Sequence, residues 1–333
     1  MESKQILART ALAAALLTMP VMVHAETAPL KVSGTEAVRG ASKLAIGAFN
    51  LGFIFESVDQ TKATGGMIGA FGGATKAESV LVGVSPKMMQ QITDAVYADF
   101  VAQLGKAGFA VESPSAVFAA PQMANPHGQA APLDLSIALE KGSKGKATYL
   151  KPAALPTLVL LPGDFTGTGF SSMGVTMASG QAQAALSNYA KAAGTPVIDV
   201  TYLIDFSQQK RPGAFTFAGG ITVNASLSVS SKFSRMTVLG SNGKTSTVTL
   251  NDPIAVEGDF IDERDATSKS GKATQRAANV LGGLMAARGF GGMKFGKTKK
   301  FEFTAKPGNY EEGATKAAAL ANERLVAQIA AMK

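Results

Sequence analysis

SPKMMQQITDAVYADFVAQLGKAGFAVE, residues 85–112, reads as a helix that feeds straight into a buried strand. Ser85 is placed to cap the helix, because its hydroxyl can accept from an unpaired N–H of the first turn. Pro86 follows at the first helical position, where a missing N–H costs nothing. Met89, Ile92, Val96, Phe100 and Leu104 recur at spacings of three and four, giving one apolar stripe, and Asp94 and Asp99 fall off it. Gly108 supplies a left-handed stop. Phe109, Ala110 and Val111 then begin a strand that Pro114 ends. A helix delivered this tightly onto a strand has to cover one face of a sheet. The expected fold class is α/β (α+β): a mixed sheet with an antiparallel meander and helices packed on it.

Upstream of this unit, KLAIGAFNLGFIF (43–55) reads as the first buried strand, with Val58 as its furthest extent, and SVLVGV (79–84) as a short strand entering the helix. Between them Gly65, Gly69 and Gly73 stand four apart, which on a helix makes a smooth stripe open to close backbone approach. Glycine is a poor helix former, so a loop is the competing reading. Downstream, 113–150 is a loop-rich excursion with a strand at 133–139. The apolar run 155–161, bounded by Pro156 and Pro162, reads as a buried strand, and 182–193 as a helix ended by Gly194-Thr195-Pro196. VIDVTYLIDF (197–206) is a further strand. Ile221, Val223, Ala225, Leu227 and Val229 alternate with polar residues, 233–239 follows, and Asn242-Gly243 turns the chain into 245–250. That predicts three antiparallel strands with a hydroxyl-rich face, and 254–261 adds a short fourth. Residues 273–288 read as a helix, with Gly283, Ala287 and Gly291 again four apart. A strand at 301–305 and a helix over 310–332, with Ala314, Ala318, Ala321, Leu325 and Ile329 as its stripe, close the chain.

Residues 1–25 are set apart from the fold. Lys4 and Arg9 precede an apolar run over 11–23, and Val23-His24-Ala25 is a small-x-small cleavage site, so the segment reads as a secretory signal peptide. Residues 26–42 are expected to be a flexible arm, and 43–333 a single domain. Loss of Lys4, Arg9 and Glu2 with the leader takes 32 basic and 24 acidic residues to 30 and 23, a net charge of +7. The chain has no cysteine, which excludes disulfides, thiolate metal sites, thiol nucleophiles and a lipidated N-terminal cysteine. The expected location is the periplasm, with outer-membrane association or secretion as alternatives. The positive balance favours envelope proteins or anionic envelope components as partners, and a plain solvated surface is the competing account. No nucleic acid partner is expected.

Motifs for bond-breaking chemistry are few. His127, in NPHGQ, is the one histidine after the leader, and no G-x-S-x-G accompanies it. LPGDFTGTG lacks the lysine of a phosphate loop and the third glycine of a dinucleotide fingerprint, so it reads as a turn leaving a strand. Asp252, Glu257, Asp259, Asp262, Glu263 and Asp265 crowd one segment, as a solvated acidic edge or as carboxylates for calcium or hydrolysis. Lys297, Lys299 and Lys300 are candidate anion contacts, and the two four-residue stripes are candidate helix-packing or subunit contacts. No cofactor is expected. Strands of alternating apolar and hydroxyl residues over 221–250 also fit a barrel-forming hairpin, against which stands an ordinary half-buried sheet without an aromatic girdle.

The layout of KLAIGAFNLGF, the 85–112 unit, GTPVIDVTYLIDF and the closing alanine-rich helix resembles the α/β domain of the curli-secretion-channel (CsgG-like) family and related periplasmic assembly factors. The resemblance covers about half of the chain after the leader and is one of pattern. It implies a non-catalytic envelope protein that assembles or scaffolds. Channel members are typically lipidated at a cysteine, which this chain lacks, and that points to a soluble periplasmic relative. The expected function is a periplasmic envelope protein that binds other envelope components and self-associates. Two alternatives stand beside it: a periplasmic lipid or small-hydrophobe carrier with an apolar pocket between meander and helices, and a carboxylate-dependent hydrolase using Asp259 and Asp262.

Overall fold

The computed structural model describes residues 30–61, 75–139, 143–168, 172–210, 222–267 and 297–333. The described strands are β1 (Leu30–Ser33), β2 (Lys43–Thr61), β3 (Thr75–Val82), β4 (Ala110–Val111), β5 (Leu133–Ala138), β6 (Lys144–Leu150), β7 (Val197–Lys210), β8 (Thr222–Val229), β9 (Arg235–Leu239), β10 (Thr245–Leu250), β11 (Ile254–Val256), β12 (Ile261–Asp265) and β13 (Lys297–Ala305). The helices are α1 (Pro86–Lys106), α2 (Pro114–Ala119), α3 (Met173–Ala193) and α4 (Asn309–Ala331). The fold is α/β, a mixed sheet with the path β1-β10-β9-β7-β2-β3-β13-β12 and helices on both faces.

The 85–112 unit forms as its residues dictate. Ser85 Oγ accepts from Met88 N at 3.2 Å, Pro86 is the first helical residue, and Gly108 has φ +80°. Met89, Ile92, Val96, Phe100 and Leu104 are buried. β4 returns beside the start of β2, in parallel. α1 lies next to α4 on one face, and Asn322 pins the two to the sheet. Its Nδ2 donates to Val96 O (3.0 Å) and Asp99 Oδ2 (2.8 Å), and Tyr202 OH donates to its Oδ1 (2.8 Å). Beneath them Phe49 meets the rings of Tyr97, Phe100 and Tyr202 at 5.4, 5.4 and 5.9 Å.

α3 covers the other face, above Ala45, Gly47 and Ala48 of β2. A Cβ on Gly47 would lie 2.6 Å from both Leu186 and Val197, so the missing side chain sets how closely α3 approaches. A register shift between Ile46 and Ala48 puts two successive small residues toward the helix.

Several expectations need correcting. The arm is not free along its length: Leu30–Ser33 pair with β10, Leu30 and Val32 pack on the core, and Ala37 and Val38 are buried. The excursion at 113–150 contains α2, capped by Ser113, and the hairpin β5–β6, whose second strand pairs with β2. The run 155–161 is buried but joins no ladder among the described residues; one backbone bridge, Gln129 to Leu158, ties it to another segment. Its two prolines remove donors that a strand would use. The antiparallel run is β7-β9-β10, while β8 takes the remaining length of the same edge of β7 from Ile204 onward, with a bulge at Asp205/Ser207 inside that pairing. β7 is long enough to seat both. The fourth strand is two short ones, β11 and β12, on different partners. The segment 1–25 read as a signal peptide and the stripes Gly65/Gly69/Gly73 and Gly283/Ala287/Gly291 lie outside the described residues, as does the helix expected at 273–288.

Candidate functional site

Two places carry chemistry beyond packing. The first is an end of the sheet. β2 and β7 run parallel, β3 and β8 run antiparallel to them, β13 runs parallel to β3, and β12 opposes β13. Thr61, Thr75, Lys210, Thr222, Asp265 and Lys297 therefore lie at one end, and the connections 62–74, 211–221 and 268–296 all leave from it. In sequence these connections hold seven basic side chains, no Asp or Glu, and fifteen of the chain's 36 glycines. They thus carry seven positive charges, against a net charge of +8 for the whole chain.

Of the lysines proposed as anion contacts, Lys297 opens β13 opposite Thr75, Lys299 is half-buried, and Lys300 is exposed with its Nζ 3.2 Å from Glu78 Oε2. Lys76 reaches the same glutamate at 2.6 Å, and these contacts hold the Glu78 carboxyl below its usual range. The structure brings the three lysines to this end.

The second place is a buried polar cluster on the α3 side of the sheet. Strand alternation turns Ile198, Val200 and Tyr202 toward α1 and α4, and Asp199 and Thr201 to the opposite face. Arg235 and Thr237 stand beside them on β9, in register with Thr201 and Asp199, and Asn50 stands opposite Thr201 on β2. The strap 155–168 crosses this row. Asn50 Nδ2 donates to Val159 O (2.7 Å) and Thr201 Oγ1 (3.2 Å), and Leu161 N donates to Asp164 Oδ2 (2.6 Å). Arg235 Nε lies 3.5 Å from Asp164 Oδ1, and its Nη2 donates to Thr237 Oγ1 (2.9 Å). Gly163 has φ +98°, and a Cβ there would meet Arg235 Nη1 at 1.9 Å, so the guanidinium lies directly against the turn.

Asp164 and Asp199 are both fully buried and within hydrogen-bonding reach of each other. Burial raises both carboxyls. For Asp164 the Arg235 charge and the bonds from Leu161 and Thr201 pull the other way; for Asp199 the Asp164 charge adds to the rise. Sequence reading passed over this pair. Asp164 sat in a segment taken as a turn, and Asp199 in a strand taken for its apolar side. The available signal was the run Asp199-x-Thr201 facing Arg235-x-Thr237.

The remaining sequence candidates are placed apart. His127 lies in a loop with φ +53°, its N–H donating to Asn125 Oδ1 (3.1 Å). Asp259 and Asp262 are 78% and 69% exposed and share Lys306, at 2.5 and 2.9 Å, which raises the lysine. The hydrolase alternative required them buried and facing each other. Glu263 accepts from Ala225 N, Asp265 accepts from Thr267 N, and Asp252 and Glu257 are exposed. Between α1, α4 and the sheet, where the carrier alternative required a pocket, Phe49, Tyr97, Phe100 and Tyr202 fill the space. A groove of about 600 Å³ between α1 and α4 lies on their outer side instead. No described helix is long and apolar enough to cross a membrane. No family model, curated protein or solved structure matches the chain.

Proposed function

We propose that this is a non-catalytic periplasmic envelope protein that binds an anionic envelope component through the end of the sheet from which its long connections leave, and so scaffolds other envelope parts. The observation that supports it is the concentration of charge. Six strand ends meet there, and the three connections that leave them are basic in sequence without any acid, so positive charge outweighs the acids of the strand ends, Asp265 among them, and favours an anionic surface. Anionic lipid headgroups are the partner to test first. A basic side chain near such a surface contributes about 1 kcal/mol, and that contribution fades beyond a Debye length.

The chain without its leader is expected to sediment with phosphatidylglycerol vesicles at low salt, to be released by high salt, and to leave phosphatidylcholine vesicles alone. Lys297→Gln with Lys299→Gln should weaken that binding by roughly tenfold or more, about 1 kcal/mol per lysine. Equal binding to neutral and anionic vesicles, or none to either, would defeat the lipid reading. Self-association belongs to the same proposal. Gly69→Leu should shift the oligomer distribution measured by light scattering, and an unchanged distribution with unchanged thermal stability would remove the glycine stripe from it.

A further inference from the structure

We infer that Asp164 and Asp199 form a buried proton-binding site that latches the strap 155–168 to the sheet. The argument begins with donors. Among the described residues no N–H or O–H is hydrogen-bonded to either Asp199 oxygen, to Asp164 Oδ1 or to Asn50 Oδ1, and the Tyr149 hydroxyl beside them is also unpaired. Five of the seven buried side-chain atoms in that condition gather in this one cluster. Buried acceptors without donors are costly, and two ionised carboxylates in contact are more so.

Charge then decides what occupies the site. The charged or titratable groups facing Asp199 are Asp164 from the strap and Arg235 from β9, and Tyr149 of β6 faces Asp164. With both acids ionised, one guanidinium leaves a negative charge uncompensated among side chains buried from the surface. With one proton retained, charge balances and a missing donor appears, because the Asp199 O–H donates to the Asp164 carboxylate. Asp164 is the better place for the negative charge, since Leu161 N–H, Thr201 and Arg235 all point at it. Asp199 has only the proton to offer.

The strap depends on this cluster because its main chain is sparsely bonded. Beyond the bridges at Leu158 and Gly167, side chains from three strands hold it: Asn50, Asp199 with Thr201, and Arg235. Loss of the proton sets two anions against each other across the joint between strap and sheet, and the strap is what yields.

The sign of the pH dependence follows. A carboxyl that holds its proton more tightly in the fold than in the unfolded chain makes stability fall as pH rises from about 4, the ordinary aspartate value, to the folded value. Asp199→Asn keeps a donor and cannot ionise. The test uses the intact chain. Infrared difference spectra near neutral pH should show a protonated-carboxyl band in the wild type that is missing in Asp199→Asn. The unfolding midpoint of the variant should gain on the wild type steadily as pH rises, and hydrogen exchange of 155–168 peptides should rise in the wild type relative to the variant at alkaline pH. A wild type without the band, a variant that retains it, or parallel pH profiles overturns the inference. So does a wild type stabilised by added calcium with no such band, which would put a metal ion where the proton is placed. If Asp199→Asn does not fold, the wild-type band alone decides.

Discussion

Replacing Arg235 with methionine is expected to cost the fold about 3–5 kcal/mol near neutral pH, the usual loss when one partner of a buried ion pair is removed and the other left in place. Among the described residues Arg235 is the only cation facing the Asp164–Asp199 pair, and Asp164 is fully buried. Without the guanidinium the pair has to take up a second proton or remain charged in a medium that solvates it poorly. The loss therefore shrinks as the solution is made acid, because neutral carboxyls need no counter-charge. Urea unfolding at several pH values reads this directly, as a fall in midpoint with little change in slope. Asp164→Asn in the same chain should restore part of the loss, since the two residues are coupled and their effects do not add. A loss under about 1 kcal/mol, within the range of an exposed pair, would mean that water reaches the cluster.

Phe49→Ala is expected to destabilise by about 3–5 kcal/mol, the range for truncating a buried phenylalanine. Phe49 is fully buried on a central strand and touches rings from α1 on one side and β7 on the other. Its removal leaves a void that Tyr202 cannot fill, because the Tyr202 hydroxyl is tied to Asn322. Phe49→Leu should recover most of the loss by conserving volume. Comparable losses for the two variants would show that edge-on ring contacts, rather than filled space, hold α1 and α4 to the sheet.

Much of this architecture was legible from short-range chemistry. The 85–112 unit shows it best, since Ser85, Pro86 and Gly108 mark its limits and the stripe names its buried side. α4 and the Asn242-Gly243 turn were legible for the same reason: each is decided by residues within a few positions of one another. What stayed hidden depends on distant partners. Leu30 and Val32 look like part of a polar arm until β10 is placed beside them. The run 155–161 is apolar enough for a strand, but hydrogen bonding rather than burial defines one, and Pro156 and Pro162 were the cue. The Asp164–Asp199 pair was hidden for a related reason. Its members are 35 positions apart, each in a segment whose local reading was already satisfied, and only the crossing of strap over sheet brings them together. The departure of three basic connections from one end of the sheet was half legible: their composition stands in the sequence, but their common departure point needs the strand directions.

The pairing of β2 with β7 sets a timetable for the newly made chain. Asn50 and Thr201 hydrogen-bond across 151 positions, and Thr249 reaches Lys31 across 218. Closing such spans is slow, and at ribosomal rates β7 is finished about 8–30 s after β2. Through that interval the edge of β2 that β7 will cover, Ala45 to Phe53, has no partner, so the middle of the sheet stays open until most of the chain exists.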